Sequence, residues 1–171
     1  MVRPATRQDG AADDRKVPAM QPGDLAPDFT LPDDQGVERT LSDLLADGPV
    51  VLFFYPAAMT SGCTAESCHF RDLAAEFAEA GAQRVGISPD AVGKQREFSA
   101  KHGFDYPLLS DVDGVVAKQF GVWRKILPLH TKRQTFVLGT DRRVLDVIKS
   151  ELNFTAHADR ALKTLRDHTP A

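Results

Sequence analysis

Val50-Val51-Leu52-Phe53-Phe54-Tyr55 is an unbroken apolar run of β-branched, aromatic and leucine residues. A strand covered on both faces of a sheet has this composition, because neither row of its side chains meets water. Pro56 to Gly62 then reads as a loop that leads to Cys63. Apolar residues at helical spacing follow, Phe70, Leu73, Ala74 and Phe77, and Gly81 supplies a stop. The spacing predicts one long helix over this stretch.

Toward the C-terminus the patterns predict a strand over 84–88, a helix over 91–101, a short strand over 106–109 and a small helix over 115–121. A basic, proline-containing loop spans 123–132. Strands over 135–138 and 144–149 flank the turn Gly139-Thr140-Asp141-Arg142, and a helix over 156–167 closes the chain. Toward the N-terminus lie a short helix over 42–45, with Thr40 or Ser42 as its cap, and two extended pieces, 29–31 and 37–40, around Asp33-Asp34-Gln35-Gly36. The order β-α-β-α-β, then a hairpin and a helix, predicts an α/β fold with a central sheet and helices on both faces. Sites in such folds form beyond the carboxyl ends of strands, which directs attention to the segment after Tyr55.

The 171 residues suit one domain, and 42% hydrophobic residues are enough for a core. Residues 1–19 are rich in Asp, Arg, Ala and Pro and have little to bury, so they are expected to be a disordered tail, with the domain over 20–171. They lack the apolar centre of a secretory signal, and no run approaches a membrane span. A net charge of −3 excludes a basic footprint for nucleic acid. A cytoplasmic location is expected. In a reducing compartment a pair of cysteines is chemical rather than structural. A bond between Cys63 and Cys68 would also close too small a loop to constrain the unfolded chain much.

Cys63 falls at the start of the predicted helix, where free N–H groups and the positive end of the dipole favour a thiolate. Thr60, three residues earlier, can turn its hydroxyl toward the sulfur or a bound substrate. Pro56 stiffens the loop and carries no competing N–H. A cation is wanted beside the sulfur; among Arg71, Arg124 and Arg133, the last stands slightly ahead because it directly precedes a strand. Arg71 suits an ion pair with Asp72. Glu66 reads as a first-turn residue favourable to the dipole. On an intact helix, residues five apart have α-carbons roughly 8–9 Å apart, beyond the ~7 Å limit for a disulfide. If Cys63 and Cys68 pair, the first turns must unwind. Zinc is not expected: Cys63, Cys68 and His69 do not converge on one face and lack a fourth ligand.

Pro56, Thr60 and Cys63 stand in the P-x-x-x-T-x-x-C arrangement of peroxiredoxins. Cys68, followed by Phe70-Arg71-Asp72, resembles the peroxiredoxin Q branch, also called bacterioferritin comigratory proteins. Gly23 to Phe29, Leu108 to Asp111, Phe120-Gly121-Val122 and Arg133 to Val137 also fit, so the resemblance covers nearly everything from Gln21 onward. It implies a thioredoxin-like fold and the reduction of hydrogen peroxide or organic hydroperoxides. Cys63 would be the peroxidatic cysteine and Cys68 the resolving one, with Pro56, Thr60 and Arg133 completing the site. Recycling would come from thioredoxin or a similar dithiol, without cofactor or metal. The sequence departs from the pattern at Gln95, where many relatives carry histidine, at Leu138-Gly139, and over 123–130, which could affect substrate access. The alternatives are a one-cysteine peroxidase that uses an external thiol and a redox-sensing module without turnover; a disulfide exchanger is disfavoured because C-x-x-C is absent. With no long exposed apolar stripe, a monomer is expected.

Overall fold

The computed structural model describes residues 17–125 and 129–168. β1 (Thr30–Pro32) and β2 (Glu38–Thr40) form a small antiparallel ribbon. The central sheet contains β3 (Val50–Phe54), β4 (Gln83–Ser88), β5 (Leu108–Ser110), β6 (Gln134–Leu138) and β7 (Val144–Lys149), in the order β5-β4-β3-β6-β7. β3, β4 and β5 are mutually parallel, whereas β6 runs antiparallel to both β3 and β7. The expected mixed α/β sheet is therefore present.

β3 occupies the middle of the sheet and every one of its residues is buried. Its side chains alternate between two cores, as the two-residue period of a strand requires. Val50, Leu52 and Phe54 pack with α1 (Leu41–Leu45) and α5 (Val115–Gln119) on one face. Val51, Phe53 and Tyr55 pack on the other with α2 (Ser61–Asp72), α3 (Ala74–Glu79), α4 (Val92–His102) and α6 (Ala156–His168). Phe53 stacks on Phe70 of α2 with ring centroids 4.1 Å apart, which ties that helix to the central strand.

The expected long helix after Gly62 is two helices. Leu73 leaves helical geometry (φ −94°, ψ 21°) and separates α2 from α3. The apolar spacing runs through the break because Phe70 and Phe77 face the same core; periodicity reports the buried face, not the continuity of the backbone.

The tail expected over residues 1–19 lies outside the described residues as far as residue 16. Val17 to Ala19 are exposed, and Met20 already packs on the first core. The 123–132 segment, of which 126–128 lie outside the described residues, folds back on itself through a bridge between Trp123 and Thr131. Trp123 stacks on His130 and lies over Gly114, where an added Cβ would collide with its ring.

Candidate active site

Strand register gathers the site. Phe54 pairs with Gln134, so the exit of β3 lies beside the entrance of β6 and residue 133 stands next to the loop that follows Tyr55. Gln134 also pairs with Lys149, so the segment after β7 leaves the sheet at the same edge. Three stretches that are distant in sequence therefore meet there: the start of α2, Arg133, and the strap 150–155 between β7 and α6.

Pro56 is buried at the end of β3. The loop beyond it is pinned from β4: Asp90 Oδ2 accepts from the Ala58 N–H at 2.6 Å and from Ser88 Oγ at 2.7 Å. Gln95 donates to Ser88 Oγ and to Leu109 O, and its carbonyl accepts from the Tyr55 hydroxyl. The glutamine where many relatives carry histidine thus has every polar atom engaged. Met59, at φ +68°, turns the chain into the helix.

Thr60 occupies the N-cap of α2, but its hydroxyl donates to Ala57 O at 2.8 Å; it neither donates to Cys63 nor accepts from a helical N–H. The expected contact with the sulfur is not made. The hydroxyl closes the loop instead, and its lone pairs stay available to a donor.

Cys63 is 1% exposed and belongs to the second core. It is nonetheless no inert core residue, because Arg133 Nη2 donates to its Sγ at 3.2 Å. Of the cations weighed from sequence, Arg133 alone is placed on the sulfur. Arg71 pairs with Asp72, and Arg124 with Glu151. Burial opposes the charge of Arg133, but the neighbouring Glu66 and Cys63 hold it protonated, with its pKa above the ordinary value.

Glu66 overturns its expected role. It is fully buried, and its Oε2 accepts from Arg133 Nη1 at 3.0 Å. Its Oε1 has no partner. Burial outweighs the attraction of Arg133 and pushes the Glu66 carboxyl up to about 7. The signal was in the spacing, since residues three apart share a helix face and Glu66 had to lie beside Cys63. Behind it, His157 is also fully buried, with Nε2 3.8 Å from Glu66 Oε2. Its ring is held by Thr135 Oγ1 and Ser150 O, both at 2.8 Å, and burial lowers its pKa.

A carboxyl with a raised native pKa binds its proton more tightly when folded. Its stabilising effect is full below the unfolded value of 4.5 and is lost as pH rises through about 7. Relative to Glu66→Gln, the wild-type chain is therefore expected to lose stability across that window. Urea unfolding of both proteins from acid to neutral pH checks this, because His157 is common to both; a constant difference would refute the raised value.

Cys68 is half-buried, and burial raises its thiol pKa. Both cysteines are free and share the unbroken helix α2, five residues apart. Helical geometry then separates their α-carbons by roughly 8–9 Å.

A cysteine sulfur at a helix start, with a guanidinium on it and a threonine-closed loop before it, is an arrangement suited to thiol-redox chemistry. Residues 22–147 match the AhpC/TSA family. The chain belongs to that family. It is 62% identical to the crystal structure of peroxidoxin BcpB from Mycobacterium tuberculosis, with a TM-score of 0.85 over 88% of this chain and 99% of that one. Peroxiredoxin Q of Xanthomonas campestris superposes with a TM-score of 0.77 at 32% identity, over 88% of this chain and 96% of that chain. The chloroplastic peroxiredoxin Q of Suaeda salsa is 37% identical over 150 residues, 88% of this chain and 70% of that protein. These relatives are consistent with the peroxiredoxin Q branch and with a thioredoxin-like fold. As a member of the AhpC/TSA family with peroxiredoxin relatives, the chain is an oxidoreductase, a thiol peroxidase.

Proposed function

We propose that Cys63 is the peroxidatic cysteine and Cys68 the resolving one. The observation that carries this reading is the Arg133 hydrogen bond to Cys63 Sγ within the first turn of α2. A fixed positive charge thus lies against the sulfur. It also faces the place where negative charge develops on the departing oxygen. Sγ attacks one peroxide oxygen, the S–O bond forms, and the O–O bond breaks. The other oxygen leaves as water or an alcohol after taking a proton. Thr60 offers its hydroxyl to the peroxide, and Pro56 fixes the loop that carries it.

The Cys63 sulfenic acid then meets the Cys68 thiol: the S–S bond forms, the S–O bond breaks, and the oxygen departs as water with the thiol's proton. Bonding range requires the helix to unwind. The rigid end of that motion is Phe70, stacked on Phe53 and held by Arg84, which donates to Phe70 O at 2.8 Å. Residues 61–69 are the part that frays. A dithiol such as thioredoxin takes up the disulfide and restores both thiols. The enzyme acts as a monomer in the cytoplasm, on hydrogen peroxide and organic hydroperoxides. No helix of the described residues is long and apolar enough to cross a membrane.

One equivalent of peroxide is expected to lower the mass of the reduced chain by two hydrogens and to diminish its far-UV helical signal. Cys68→Ser is expected to gain one oxygen instead and to keep its helicity. An oxygen gain in the wild-type chain would favour the one-cysteine alternative, in which an external thiol resolves Cys63.

A further inference from the structure

Cys63 is the nucleophile of the proposed reaction, yet it is almost wholly covered. The strap 150–155 lies against two of its neighbours, Gly62 and Arg133. Phe154 lays its ring over the guanidinium of Arg133, 4.9 Å from centroid to Cζ. The same ring crosses the residue before the nucleophile. A Cβ built on Gly62 would meet Phe154 Cζ at 2.7 Å and Cε1 at 2.9 Å, with Arg133 Nη2 at 3.3 Å. Glycine is therefore needed at this helix position because an aromatic ring fills the space in front of it.

The strap is fastened at several points. Ser150 O accepts from His157 Nε2 at 2.8 Å, and the Ser150 hydroxyl accepts from the Asn153 N–H at 3.0 Å. Glu151 Oε1 accepts from the Arg133 N–H and from Arg124 Nη1. Arg124 belongs to the 123–130 stretch where the sequence departs from the family pattern, and it braces the strap through Glu151. Leu152, two residues before Phe154, is 85% exposed, so the strap's two large apolar side chains differ sharply in exposure.

We propose that Phe154 is the specificity-determining residue of the peroxidase, limiting the bulk of the hydroperoxide that reaches Cys63 and Arg133. A peroxide group must arrive where Arg133 and the first turn of α2 meet, and Phe154 stands over both. Hydrogen peroxide needs room for two oxygen atoms only. A tertiary or aromatic hydroperoxide carries its substituent into the volume that the ring fills and must displace it. The inference rests on Cys63 being the peroxidatic residue.

The test compares kcat/KM for hydrogen peroxide and cumene hydroperoxide in wild type, Phe154→Leu and Phe154→Ala. The ratio of cumene hydroperoxide to hydrogen peroxide is expected to rise in that order, by on the order of tenfold for alanine, the scale on which apolar pockets discriminate bulk. Alkylation of reduced Cys63 by iodoacetamide, mapped by mass, should quicken in the same order. If both peroxides lose activity equally, the ring merely supports Arg133 and the proposal fails. An unchanged ratio, or one that falls because the ring was holding the organic group, also overturns it. Cys63→Ser judges the underlying reading separately: peroxide turnover surviving in that variant would defeat the reading itself, whatever the Phe154 ratios are.

Discussion

Cys63→Ser is expected to lose at least about a thousandfold in peroxide-dependent NADPH consumption, measured with thioredoxin and its reductase, as removal of a nucleophile does elsewhere. The substitution is close to isosteric, and a serine oxygen can still accept from Arg133, so the fold should persist. The deficit is chemical: a hydroxyl beside a guanidinium stays protonated at neutral pH and does not attack a peroxide oxygen. Circular dichroism supplies the folding control. Activity within tenfold of wild type would show that another group performs the chemistry.

Replacing Arg133 by methionine is expected to act on two properties at once. Loss of the donor to Cys63 Sγ should lower kcat/KM by about 10²–10³-fold, the usual effect of deleting a group aimed at transition-state charge. Glu66 would also be stranded, fully buried and without its partner. Breaking a buried pair from one side costs about 3–5 kcal/mol when the remaining group stays charged. Glu66 escapes part of that cost by taking a proton, so the loss should be smaller in mild acid than in mild base. Urea unfolding at about pH 5 and about pH 8 reads the difference. A variant with unchanged turnover would remove Arg133 from the mechanism, and a pH-independent loss would refute the link to Glu66.

The central run 50–55 declared the fold because burial on both faces leaves a composition that no surface strand shares. Cys63 and Arg133, 70 residues apart, were legible as a pair only through the family pattern, and the antiparallel register of β3 and β6 is what joins them. Glu66 was misjudged because a carboxylate near a helix start has an ordinary surface explanation. Nothing local announces that this helix face is turned inward. Phe154 gave no signal, since its partner, the absent side chain of Gly62, comes from a different part of the chain. Thr60 stands at the N-cap, but the acceptor of its hydroxyl depends on how the loop closes, which spacing does not encode. The break at Leu73 was invisible for a related reason: both helices obey one apolar rhythm.

The pairing of Phe54 with Gln134 and of Gln134 with Lys149 makes the site a product of ladder alignment. A single-residue deletion within 134–138 that kept the alignment of the later part of the strand would invert every side chain before it and carry the guanidinium to the opposite side of the sheet. A deletion in the strap 150–155 would leave that alignment intact and displace Phe154 and its fastenings instead. Length variation should therefore act very differently around this one sheet edge: in the strand it removes the cation from the sulfur, in the strap it changes which molecules approach.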